Sequence, residues 1–181
     1  MNYDQNKNII EYKEWGSENL DETKKAEIYS VNAITNALRE QGFSDRYVRP
    51  LIYSDLNLNY DFIDFTVSAG TNALLPSTFE IPRGKVFAFY GFMDLTAGTK
   101  VLTYLQLELD MKRSGKIISK TMIPSSPIPI YGAWTDSENT VYFTPVIVKP
   151  PYNSMQIYLT STSSCKVSFQ LIGLVGTPYS L

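Results

Sequence analysis

The residues best suited to chemistry gather in the stretch DLNLNYDFIDF, where Asp55, Asn57 and Asn59 stand at alternate positions. Oxygen ligands at positions one, three and five are how an EF-hand calcium loop begins. Such a loop also needs glycine at its sixth position and glutamate at its twelfth, and here those residues are Tyr60 and Thr66. Leu56, Leu58, Tyr60 and Phe62 fill the intervening positions, so polar–apolar alternation accounts for the whole stretch. The reading is a strand, or an extended linker, with one polar face. No metal and no cofactor is expected.

Carboxylate-pair hydrolysis is the next possibility. Glu80, Glu108, Asp110, Asp136 and Glu138 all lie beyond residue 50, and Glu108 and Asp110 share one face of a strand. A solvated outer face ending at a hairpin is the preferred reading of that pair. No G-x-S-x-G, Walker A, G-x-G-x-x-G or H-E-x-x-H pattern occurs. Histidine is absent, which removes the side chain that titrates nearest neutrality. The lone cysteine, Cys165, cannot form an intrachain disulfide or a Cys/His zinc site, and a buried, inert thiol is expected. The chain is therefore not expected to be an enzyme.

Lys112, Arg113, Lys116 and Lys120 cluster in MKRSGKIISK around a turn at Ser114-Gly115. The aromatics that single-stranded nucleic-acid sites interleave with such charges are missing. A solvated hairpin tip is favoured, with contact to an acidic protein partner as the alternative. A net charge of −2 gives no long-range attraction to nucleic acid or anionic membrane, and neither is an expected partner. The polar start MNYDQNKNIIEYKEW has no signal-peptide pattern, and no apolar run approaches a membrane span.

Two regions must position these groups. The first 50 residues hold 16 of the 34 charged side chains and one of the ten prolines, and the rest of the 181 residues read as β structure. The expected division is 1–50, an N-terminal arm with an amphipathic helix, and 51–181, a β domain. In NLDETKKAEIYSVNAITNALREQGF, Asn19 can cap with Glu22 completing a capping-box pair, and Gly42 and Phe43 close the other end. Ile28, Val31, Ile34 and Leu38 form one narrow apolar stripe. It can lie on the chain's own β domain or dock on another subunit.

Beyond Pro50 the period becomes two. VLTYLQLEL puts Val101, Thr103, Leu105, Leu107 and Leu109 on one face, and KVFAFYGF, GKIISKTM, NTVYFTPVIV, SMQIYLT and KVSFQLIGLVG behave similarly. With FIDFTV and STFEI this gives about eight strands without intervening helices. The expected fold is mainly β: an antiparallel β-sandwich, jelly-roll-like, with an N-terminal helical arm. Prolines in PSSPIP and KPPYN belong in loops or at sheet edges. Tyr131 and Trp134 fall in a Pro/Gly-rich loop, where they can pack internally, meet a protein partner or stack on sugar.

Read together, IPRGKVFAFYGF, NTVYFTPVIVKPPYNSMQIYLTSTSS and VSFQLIGLVGTP resemble small β-sandwich structural proteins of tailed bacteriophages, in particular capsid decoration or auxiliary proteins. The resemblance covers roughly residues 79–178. It implies an outward-facing β domain, an N-terminal element that grips the major capsid protein or other virion proteins, and residence on the capsid surface after synthesis in the host cytoplasm. A homo-oligomer, with a trimer favoured, is also expected, from the long apolar strands. Partner-binding candidates are Ile28, Val31, Ile34 and Leu38, with Tyr131 and Trp134. The alternative is a carbohydrate-binding or host-recognition module on a virion fibre, using Tyr131, Trp134 and Tyr152.

Overall fold

The computed structural model describes residues 21–58, 63–73, 79–130 and 140–179. Helix α1 runs Glu22–Glu40. It starts at Asp21, whose carboxylate accepts from the Lys24 amide at 2.8 Å, the ordinary way to satisfy an orphan N–H of the first turn. The cap expected at Asn19 therefore moves by two residues. The other end closes as a Schellman turn: the Phe43 amide donates to Leu38 O at 3.0 Å and the Gly42 amide to Arg39 O at 2.9 Å. Gly42 sits at φ +88°, where a side chain would be strained.

Among the described residues nine strands follow: β1 Arg46–Pro50, β2 Ile63–Val67, β3 Gly70–Ala73, β4 Val86–Asp94, β5 Leu102–Arg113, β6 Lys116–Pro129, β7 Thr140–Val148, β8 Ser154–Ser161 and β9 Cys165–Pro178. One sheet has the order β1-β9-β4-β7, with β2 also on β9, and the other has β3-β8-β5-β6. The paired strands are antiparallel throughout. From β2 to β9 the interleaved order β2-β9-β4-β7 over β3-β8-β5-β6 is that of a jelly roll. β1 and β2 lie end to end along one side of β9, pairing with Leu174–Pro178 and Cys165–Phe169.

Several elements depart from the sequence reading. The described part of STFEI, residues 79–81, contributes a bridge, Glu80 to Ser154. β1 lies before residue 51 yet belongs to the first sheet, and α1 packs on that same sheet, so the boundary expected at 50 cuts through one packed unit. Within β5, Leu102 pairs with Ser161 and Tyr104 with Thr160, leaving Thr103 as an extra residue. That bulge turns Leu102 into the core and leaves Thr103 half-buried, its hydroxyl donating to Thr160 O. Cys165 is half-buried rather than buried.

The core has two layers. Phe87, Phe89, Phe92 and Phe169 fill the space between the sheets with Leu105, Leu107, Leu109 and Ile157. Val86, Ala88, Tyr90 and Leu174 point the other way, beneath Ile34, Ala37 and Leu38 of α1. Eight of the nine residues of β4 are buried because its faces serve different layers.

Candidate interaction surfaces

The apolar stripe of α1, the expected docking element, faces the chain's own first sheet. Ile34 and Leu38 are fully buried against the chain's own sheet, Val31 packs at the margin of that layer, and Ile28 is half-buried. Close approach is possible because β9 offers glycine there. A Cβ on Gly176 would overlap Ile34 Cγ2 and come within 3.2 Å of Leu38 Cδ1. An ion pair from Lys149 Nζ to Glu40 Oε2 at 2.6 Å ties the helix end to the turn after β7. Ile34 and Leu38 thus present no apolar surface to a second protein in this structure, a correction to their expected role. The helix is needed on the chain's own sheet because β4 and the second half of β9 are apolar on both faces.

Asp55 is not part of an alternating strand. It sits in a 3₁₀ turn, Tyr53–Leu56, and both it and Leu56 are buried. Arg49 grips the carboxylate in a two-pronged pair, Nη1 to Oδ2 and Nη2 to Oδ1, each at 2.7 Å. The Ile52 amide donates to Oδ2 at 3.0 Å, and Lys85 Nζ lies 3.4 Å from Oδ1. Burial alone would raise the Asp55 pKa, but the Arg49 and Ile52 hydrogen bonds and the two cations together hold it below the ordinary value. Correspondingly, the hydrogen bond to Asp55 raises the Arg49 pKa. This cluster fastens β1 and its turn to the segment leading into β4, so the residue that most resembled a metal ligand is a structural clasp.

The outer face of the second sheet has no described element over it. Glu108 accepts from Lys120 Nζ at 2.9 Å and from Tyr158 OH at 3.4 Å, while Asp110 Oδ2 lies 3.5 Å from Ser154 Oγ. Asp110 Oδ1 is buried without a protein partner. Glu80 pairs with Lys112 at 3.1 Å. Burial and the Glu108 charge raise the Tyr158 pKa, and the Glu108 hydrogen bond raises that of Lys120. Glu108 is thus engaged by a lysine and a tyrosine. Asp136 and Glu138 lie outside the described residues.

At the edge of this sheet, β6 pairs only with β5 among the described residues. Ile117 is 48% exposed and Ile118 58%, with Met122 exposed beside them. The prolines Pro124, Pro127 and Pro129 block the second half of this edge, as expected for PSSPIP, but Lys116–Ile123 has none. The sequence signal was the pair Ile117-Ile118 inside a basic hairpin, apolar on both parities without a layer for either. Of the aromatic candidates, Tyr131 and Trp134 lie outside the described residues, and Tyr152 is half-buried against the sandwich core.

No protein-family model and no curated protein matches this chain. Among solved structures it is similar to a chain of infectious bursal disease virus, Gx strain, at 12% identity and TM-score 0.39, covering 76% of this chain and 33% of that one. It is similar to a chain of the infectious bursal disease virus VP2 subviral particle at 11% identity and TM-score 0.40, covering 74% and 33%. A chain from Bacillus endospore appendages, which form disulfide-linked pili, gives 12% identity and TM-score 0.32, covering 75% and 90%. This chain therefore spans about a third of those viral chains. Likeness at this level carries no argument about what the chain does.

Proposed function

We propose that this chain is a non-enzymatic structural protein of a virion, working through protein–protein contacts made by the second sheet and its β6 edge. The observation that carries the reading is the asymmetry of the jelly roll. One outer face is sealed by α1, while the other ends in a 14-residue edge strand with Ile117, Ile118 and Met122 in solvent. Its proline-free part, Lys116–Ile123, extends roughly 26 Å and offers a row of backbone donors and acceptors for another chain to meet. In finer form, the chain decorates the capsid shell of a tailed bacteriophage and contacts the major capsid protein. A homotrimer on the shell is part of this proposal. Because Ile34 and Leu38 are spent on the chain's own sheet, the gripping surface moves from the helix to the sandwich.

The test is a count of this chain in purified particles by quantitative mass spectrometry. A copy number in fixed ratio to the major capsid protein is expected, with I118K/M122E lost from particles while its circular dichroism is unchanged. Absence from particles, or full retention of the folded double variant, overturns the proposal.

A further inference from the structure

Where α1 ends and β1 begins, an open cleft of about 370 Å³ is lined by Arg39, Gly42, Phe43, Ser44 and Arg46. Helix and strand each contribute one arginine to its lining. Arg46 is anchored: its Nε donates to Thr35 Oγ1 at 3.1 Å and its Nη1 to Ser44 O at 3.2 Å. A guanidinium has five N–H donors, so the fork keeps others unspent. Arg39 is exposed on the last helical turn and forms no ion pair with any described residue. Partial burial and the charge of Arg39 both lower the Arg46 pKa, and only Asp45, which forms no ion pair with it, acts in the opposite sense. Two like charges thus lie at one cleft, and no described carboxylate forms an ion pair with either. Helix-end electrostatics favour one basic residue here, since a cation complements the C-terminal carbonyls. They do not account for a second, anchored guanidinium.

We propose that this cleft binds a carboxylate carried by a peptide, clasped between Arg39 and Arg46 with the adjoining apolar carbons on Phe43. Two features select this chemistry. A fixed guanidinium matches a planar carboxylate in a two-pronged geometry. A volume at the lower end of ligand pockets, with an aromatic wall, suits an acid on a carbon framework better than a bare inorganic ion. The carboxylate can come from an acidic side chain or from a chain terminus, and the proposal stands independently of the virion reading.

The experiment uses the full chain, isotope-labelled, with amide and arginine Nε–H resonances followed by NMR. Acetyl-glutamate amide presents a side-chain carboxylate and acetyl-phenylalanine a terminal one, and sodium chloride at matched ionic strength is the control. Saturable shifts are expected at Gly42, Phe43, Ser44 and Arg46 Nε–H, and the tighter of the two compounds identifies the source. Arg39→Gln, at an exposed position, should weaken binding by about tenfold, the loss of one charge-assisted hydrogen bond. Arg46→Lys, which keeps the charge but not the anchored fork, should weaken it too. Shifts that merely track ionic strength, equal affinity in Arg39→Gln, or equal binding of inorganic phosphate overturn the assignment.

Discussion

Gly176 is the point at which the seating of the helix can be tested hardest. A methyl group there would overlap Ile34 Cγ2 and stand 3.2 Å from Leu38 Cδ1. Carbon atoms settle at about 3.5–4.0 Å, so α1 would have to retreat by more than about 1 Å from β4 and β9. Ile34 and Leu38 are fully buried and the helix is tied at its end to Lys149, so little slack is available. Overpacking of this kind costs about 2–3 kcal/mol, toward the upper part of its usual range. For a chain of this size that lowers Tm by roughly 4–12 °C. Ile34→Ala removes the obstructing methyl and by itself costs about 2–5 kcal/mol through the cavity it leaves. In the double variant G176A/I34A, the new methyl enters the space vacated by the old one. The sum of the single effects should therefore exceed the measured double effect by at least about 1 kcal/mol. Urea denaturation of all four proteins reads this directly. If the two changes add within about 0.5 kcal/mol, the helix does not sit on β9 as described.

Asp55→Asn should destabilise by about 3 kcal/mol, the lower end for breaking a buried ion pair, because Arg49 and Lys85 are partly exposed and can rehydrate. Since the Asp55 pKa is depressed on folding, its contribution is complete above the unfolded value near 3.9 and is lost as pH falls through the lower folded value. Melts from pH 7 down to pH 2 should thus show a shallower acid limb in Asp55→Asn than in the parent, and parallel limbs would refute the clasp. Gly42→Ala meets no atom within 4 Å, so its cost should be about 1 kcal/mol of backbone strain alone, visible as a Tm lower by roughly 2–4 °C. No loss would mean that the left-handed turn is not held.

The sandwich was legible because its strands alternate, and the second layer was half legible. KVFAFYGF is apolar at every position from Val86 to Tyr90, which a half-exposed strand has no reason to be. That run implied a cover on the second face, and the capped stripe of Ile34 and Leu38 was the available one. Linking them needed Gly176, whose role appears only when the side chains of Ile34 and Leu38 lie next to it. Other features depended on partners far along the chain. Arg49 and Lys85 turn Asp55 from an apparent ligand into a clasp, and no local pattern joins those three. β1, with two arginines in five residues, reads as polar linker until β9 supplies its ladder. The bulge at Thr103 puts Leu102 in the core in its place, through one unpaired residue that periodicity alone does not reveal.

β9 carries a consequence for how this chain is made. It lies between β4 on one side and β1 and β2 on the other, so the first sheet has no centre without it. It is also the last of the described strands to leave the ribosome. Until it arrives, β1 and β2 have no ladder and α1 has only part of its seat, since Leu174 and Gly176 belong to β9. The β3-β8-β5-β6 sheet is fully synthesised earlier and needs no strand from β9. The first sheet therefore waits on contacts that span more than 100 residues between β1 and β9. Such long closures fold slowly and leave apolar edges uncovered meanwhile. Until Cys165–Pro178 inserts, the apolar faces of β4 and α1 stay partly uncovered.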